Sequence, residues 1–277
     1  MIRTLLAILM LISPAAAAEN PKRIVSVGGA LTETVYALGA GHLLVGSDTT
    51  SYFPEAAAQL PKVGYQRTLS AEGVLSLDPD LIILSADAGP PNVLEQLKTA
   101  GVPLLRFVAN RSIADIKRNI REIGSVLERD VQARQVVATL EETAARLERA
   151  KAGQERRKRI MFILQHGGGA PLVAGRNTAA DRVITLAGAE NAVTGYVGYK
   201  PLSPEAAVET APDIILVTTQ GLRQFGGEAA LLEVPGVNLT PAAKQRKVIA
   251  MDALFLLGFG PRTAAAALEL NHQVRGF

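Results

Sequence analysis

Two side chains on separate halves of this chain have the chemistry to hold ferric iron. Tyr65 stands in Val63-Gly64-Tyr65-Gln66-Arg67, and His166 opens His166-Gly167-Gly168-Gly169. A phenolate oxygen is hard and anionic and suits Fe(III), and haem iron accepts Tyr or His as an axial ligand. Free Tyr ionises only near pH 10, so a ligating Tyr needs a cation beside it. The iron supplies one. Arg67, two residues on, supplies a second or grips a haem propionate, and Arg176 and Lys200 are further candidate propionate partners. His42, after a helix-ending Gly, and His272, in the terminal helical stretch, read as structural.

Other chemistries fit less well. His166-Gly-Gly-Gly is like the oxyanion-hole loop of lipases, but that machinery needs a G-x-S-x-G elbow. The chain has none; Ser47 and Ser125 each follow a Gly without the spacing. Gly28-Gly29-Ala30 is not G-x-G-x-x-G, which disfavours dinucleotide binding. Three scattered His without an acidic cluster argue against a His-rich zinc site. Cysteine is absent, which excludes disulfides, thiol catalysis, thiolate metal sites and a lipidated N-terminal Cys.

The elements that must position these residues are written twice. Leu69 to Leu84 (LSAEGVLSLDPDLIIL) and Leu202 to Val217 (LSPEAAVETAPDIILV) match at Leu69/Leu202, Ser70/Ser203, Glu72/Glu205, Pro79/Pro212 and Asp80/Asp213, 133 positions apart. Each copy reads as a Ser-led helix, then Pro-Asp, then a buried strand, and doubled half-chains predict two lobes with a ligand cleft between them. Strand-like runs at 22–27, 81–84 and 102–107 alternate with helical stretches at 31–38 and 93–100, as in a mostly parallel sheet covered by helices. Leu43 to Val45 leads into a polar loop at 46–51. Further strands are expected at 158–164, 214–217 and 248–251, a helix at 178–187, and a final helix from Pro261. Ser112 caps a helix to about Leu127, and Asp130 starts a longer one to about Ala152, whose Val136, Val137, Leu140, Ala144 and Leu147 form one apolar face. At 1.5 Å per residue that stretch reaches roughly 35 Å, a stiff strut between the half-chains. The expected fold is α/β: two Rossmann-like lobes with parallel-rich sheets, joined by a single long linking helix, with the ligand cleft between the lobes.

Met1 to Ala18 carries Arg3, the apolar run Leu5 to Ile12, Pro14 and four Ala, the parts of a secretory signal peptide. The apolar run is too short to span a bilayer. Cleavage is expected after Ala18. The division is then a leader at 1–18, an N-terminal lobe at 19–128, the linking helix at 129–153 and a C-terminal lobe at 154–277. Losing Arg3 takes the formal charge from +3 to +2, near balance and no argument for nucleic acid. The run Arg156 to Arg159 reads as a solvated face leading into a strand.

The leader, the two lobes, the linking helix and the LS-x-E…PD-[LI]-I repeats resemble the cluster-III periplasmic substrate-binding proteins of ABC importers, which serve cobalamin, ferric siderophores and haem. Within that family, KVGYQRTLSAEGVLSLDPDLI and ILQHGGGAPLVAGRNTAAD resemble the haem-binding branch. The resemblance implies that Tyr65 is the axial ligand with His166 opposite it, and that haem is transported cargo and not a catalytic cofactor. It also implies a monomeric, non-enzymatic periplasmic shuttle that feeds an inner-membrane ABC permease and ATPase complex, with an outer-membrane haem receptor upstream. Glu72 and Glu205 match the glutamates that dock on permease arginines in the family. They also lie where a carboxylate favours a helix dipole, and both roles can hold at once.

Two alternatives frame the tests. The same fold could carry a ferric siderophore or cobalamin. Catecholate or hydroxamate cargo favours Arg- and aromatic-rich pockets without direct protein ligation to iron, and aromatics are 4% of this chain with no Trp. An exported hydrolase or haem-degrading enzyme is the reading from another class. The first lacks its elbow, and nothing in the sequence points to a redox partner for the second.

Overall fold

The computed structural model describes residues 21–153, 156–167 and 169–277; the expected leader and its cleavage point lie outside them. The N-terminal lobe runs β1 (Ile24–Val27), α1 (Gly29–Ala37), β2 (Leu44–Ser47), α2 (Glu55–Ala58), β3 (Gly64–Tyr65), β4 (Thr68–Leu69), α3 (Ala71–Leu75), β5 (Leu81–Leu84), α4 (Pro91–Thr99), β6 (Leu104–Arg106) and α5 (Ile113–Val126). Its main sheet has the order β2-β1-β5-β6, with every neighbour parallel. Gly46 and Ser47, expected in a polar loop, continue β2 instead.

The helix α6 (Asp130–Lys151) leads into the second lobe. That lobe runs β7 (Arg159–Leu164), β8 (Leu172–Ala174), α7 (Ala179–Leu186), β9 (Glu190–Asn191), β10 (Tyr199–Pro201), α8 (Pro204–Thr210), β11 (Ile214–Thr218), α9 (Thr219–Phe225), α10 (Glu228–Leu232), α11 (Pro241–Lys244), β12 (Val248–Met251), α12 (Ala253–Leu257) and α13 (Thr263–Arg275). β7, β11 and β12 are parallel, as expected, and β9 adds a short parallel pairing to β7. β8 and β10 form an antiparallel edge that the first lobe lacks.

Strand alternation sends side chains to opposite faces, and both faces of these sheets are covered. In β7, Ile160 and Phe162 enter the core shared with α6 and α13, whereas Met161 and Ile163 enter the core under α10 and α11. In β5, Ile83 faces the first core and Ile82 and Leu84 face α3 and α4. Double burial explains why β5 and β11 read as unbroken apolar runs.

The doubled segments do the same structural work in each lobe. Ser70 Oγ accepts the Gly73 N–H and Ser203 Oγ accepts the Ala206 N–H, each at 3.1 Å, which caps α3 and α8. Asp80 accepts the N–H groups of Lys22 and Arg23 at 2.7 and 3.0 Å, and Asp213 accepts the Arg159 N–H at 2.8 Å. Each Asp thus clasps the start of the neighbouring central strand.

α6 buries Ala133, Val137, Leu140 and Leu147. It packs on α5 and α13, and one apolar cluster runs from Ile83 and Ile123 past it to Phe162 and Leu270. Lys117 pairs with Glu141 at 2.5 Å, and Arg275 Nη1 donates to the Ala150 carbonyl at 2.8 Å. The α5–α6 contact is close because position 124 is Gly: a Cβ there would stand 2.6 Å from that of Ala133. Gly124→Ala gains up to about 1 kcal/mol of helix propensity against an overpacking cost of about 1–3 kcal/mol. The net expectation is a lower Tm, at roughly 2–4 °C per kcal/mol. Thermal unfolding followed by circular dichroism checks it, and an unchanged or higher Tm contradicts the close packing.

Candidate functional site

The carboxyl ends of the two parallel sheets face one another, and in open α/β sheets that is where ligands gather. Tyr65 stands just before the first of the doubled segments, a position that predicts a strand-to-helix loop; it sits instead on a two-stranded hairpin, β3–β4, in which Gly64 pairs with Leu69 and Tyr65 with Thr68. The hairpin is pinned from both sides. The Thr49 N–H donates to the Gly64 carbonyl, Gly89 N–H to the Gln66 carbonyl and Leu69 N–H to the Gly89 carbonyl, all at 2.9 Å. Ser85 Oγ donates to Gln66 Oε1 at 2.9 Å. Gly28 lets β1 end beneath it: its φ is +113°, and a Cβ there would stand 2.8 Å from Ser85 Cβ.

Tyr65 and Arg67 share a side of the hairpin. Arg67 Nη1 donates to Tyr65 Oη at 2.5 Å, and Arg67 Nη2 donates to Asp87 Oδ2 at 2.6 Å. Burial by itself lowers the Arg67 pKa, but the Asp87 carboxylate and the Tyr65 oxygen outweigh it and hold the guanidinium above its ordinary value. From the other lobe, His166 follows β7 and its ring stands 6.2 Å from that of Tyr65, centroid to centroid, with 33° between planes. A flat ligand stacked between two rings needs about 7 Å, two contacts of roughly 3.5 Å each. Such a ligand therefore parts the walls by about an ångström or swings one ring aside.

The opposite wall also carries a residue the sequence reading passed over. Tyr199 on β10 lies within electrostatic reach of Arg67. Burial pushes its phenol above the ordinary value, while the Thr178 hydroxyl, the Ala180 N–H and the Arg67 charge oppose the shift. The signal was present: Tyr199 stands three residues before Leu202, as Tyr65 stands four before Leu69.

The other candidates are scattered. Strand alternation puts Lys200 on the opposite face of β10 from Tyr199, its ammonium 4.7 Å from the Tyr196 ring centroid, so it does not join Tyr65 and Arg67. Arg176 is exposed on the turn before α7, held by backbone bonds to Tyr196 and Gly198 at 2.9 Å. Glu72 and Glu205 are exposed on the first turns of α3 and α8. No cluster of three or more His, Cys, Asp or Glu suited to a bare metal ion occurs among the described residues.

A second meeting of the lobes, also not foreseen, lies beyond β2 and β12. Tyr52 Oη donates to Asp252 at 3.1 Å and accepts the Leu254 N–H at 2.8 Å, and Gln220 Nε2 donates to Asp252 at 2.7 Å. Beside it Arg262 makes two 2.8 Å bonds to Glu33, whose side chain is only 7% exposed, and its guanidinium lies 3.5 Å from the Phe53 ring centroid.

Residues 24–254 match the family model described as periplasmic binding protein. Among solved structures, the chain is similar to the periplasmic haem-binding protein RhuT from Roseiflexus sp. RS-1 in its apo form: 41% identity, TM-score 0.88, 92% of this chain and 98% of that one. It is similar to the periplasmic haem-binding protein BhuT, seen in complex with two haems: 43% identity, TM-score 0.87, again 92% and 98%. It is 29% identical over 269 residues to the vitamin B12-binding protein of Vibrio vulnificus (strain CMCP6), across 96% of this chain and 94% of that one.

Burial is the largest cause of the rise in the Tyr52 pKa to about 12, with Asp252 adding to it. The folded value lies above the unfolded one near 10. The phenol therefore stabilises the fold fully below about pH 10, and that contribution is lost as pH rises from there through about 12. Tyr52→Phe is expected to flatten this part of the stability profile. Thermal melts of both proteins between pH 9 and 12 check it, and parallel profiles would remove Tyr52 as a contributor.

Proposed function

The chain belongs to the periplasmic binding protein family, and we propose that this member captures haem between its lobes and hands it to an inner-membrane ABC permease. The observation that carries the reading is the meeting of Tyr65 and His166 from opposite walls at 6.2 Å, with the Arg67 guanidinium on the phenol oxygen. A guanidinium that donates to a phenolate favours the ionised oxygen, and an ionised oxygen is what ferric iron binds best. Tyr65 is the principal ligand and His166 the second. The haem-binding relatives, at 41% and 43% identity over nearly the whole chain, support this cargo.

The remaining roles follow from position and charge. Arg67 is occupied by Tyr65 and Asp87, so it serves the phenolate and is not free for a propionate; Arg176 is the proposed propionate partner. Glu72 and Glu205, exposed and one on each lobe, dock on the permease, whose ATPase drives release. The leader ends at Ala18 and the mature chain works in the periplasm as a monomer without catalysing a reaction on the haem.

Cobalamin is the second reading, favoured by the relative from Vibrio vulnificus at 29% identity. Hemin added to the mature protein is expected to give a Soret band with the charge-transfer absorption of phenolate-ligated ferric haem. The break in the titration counts the haems: one equivalent for an iron shared by both walls, two for one haem on each. Tyr65→Phe is expected to abolish the charge-transfer absorption and weaken hemin binding at least tenfold, with a smaller loss for His166→Ala. Cyanocobalamin or a ferric siderophore in tenfold excess should leave the Soret band unchanged. Displacement of hemin by either would overturn the cargo, and an unaltered spectrum in Tyr65→Phe would overturn the ligand.

A further inference from the structure

Asp87 has no part in the ligation just described, yet it touches the residue on which that ligation leans. It lies in the loop after β5, exposed, and its carboxylate makes one hydrogen bond among the described residues, to Arg67 Nη2 at 2.6 Å. The other terminal nitrogen of the same guanidinium meets Tyr65 Oη at 2.5 Å. The fork of an Arg is planar and rigid, so fixing one nitrogen fixes the direction of the other. The stem behind it is long and rotamer-rich, and Arg67 is about half exposed at 54%. Tyr65 is held by a pinned hairpin, whereas Arg67 projects from the turn of that hairpin, and among the described residues the Asp87 carboxylate is what steadies its far side.

We propose that Asp87 is a positioning residue for haem ligation: it holds the Arg67 fork against the Tyr65 oxygen. The inference rests on Tyr65 being the iron ligand. The Asp87–Arg67 pair is exposed, so its contribution to global stability is small, and its effect falls on the occupancy of one hydrogen bond. A negative charge placed near a phenolate would, acting alone, oppose ionisation of the phenol. Positioning and direct repulsion therefore predict shifts of opposite sign when Asp87 is removed, and the two can be separated.

The test follows hemin-loaded protein through an acid titration of the phenolate charge-transfer band and through the rate of hemin transfer to a scavenging apo-globin. Asp87→Ala is expected to raise the acid midpoint at which the band is lost and to speed hemin transfer about three- to tenfold, with unchanged far-UV circular dichroism. Asp87→Glu restores both. In an Arg67→Ala background, Asp87→Ala adds nothing, because the carboxylate acts only through Arg67. A midpoint that falls, a midpoint and rate that do not move, or an effect that persists without Arg67 overturns the proposal. Tyr65→Phe measured alongside separates the two layers. If it leaves the band intact, both readings fall. If it removes the band while Asp87→Ala behaves as the parent protein, only the role of Asp87 falls.

Discussion

The buried stripe of α6 is the constraint on which the geometry of the cleft depends. Ala133, Val137, Leu140 and Leu147 are withdrawn from water between α5 of one lobe and α13 of the other, so the helix cannot rotate or slide without exposing them. A flexible linker would leave the lobes to find each other by diffusion; this strut presents one set of strand ends to the other. Every contact across the cleft, including the approach of Tyr65 to His166, follows from that alignment.

Across the cleft the polar contacts divide by burial, and burial decides their weight. Glu33 and Arg262 form a bidentate pair with one partner almost fully enclosed, backed by aromatic rings. Removing one partner of such a pair leaves a stranded charge, at a cost on the order of 3–5 kcal/mol when burial is complete. Together with the Tyr52, Gln220 and Asp252 cluster it ties one side of the cleft shut. The Arg67–Asp87 pair is more than half exposed and contributes little to folding. The same residue types thus do opposite work: the enclosed set holds the lobes in register, and the open set stays available to a ligand.

Much of this was readable in the sequence because it depends on local pattern. Leu81–Leu84 and Ile214–Thr218 announce doubly covered strands by unbroken apolar character, and Ser70, Ser203 and Ser112 cap helices where a Ser precedes an apolar-periodic run. Tyr65 and His166 stood out because each side chain can ligate ferric iron and the two stand on separate halves of the chain. What escaped depends on distant pairing or on elements too short to signal. Tyr52 and Asp252 are 200 residues apart, and nothing near either announces the other. β10 is three residues long and includes a Pro, so its alternation, which assigns Tyr199 to one face and Lys200 to the other, could not be read beforehand. The antiparallel edge escaped for the same reason.

The tied side of the cleft bears on rates as well as on shape. A binder whose lobes swing freely spends most of its time in arrangements that cannot hold cargo, and its apparent affinity falls by the fraction of time it is competent. Here the strut and the enclosed Glu33–Arg262 contact hold the two walls in one alignment, which raises the fraction of molecules competent at the moment of encounter. The same ties bear on the other end of the cycle: whatever separates the lobes to release cargo must first break the Glu33–Arg262 pair and the bonds of Tyr52 and Gln220.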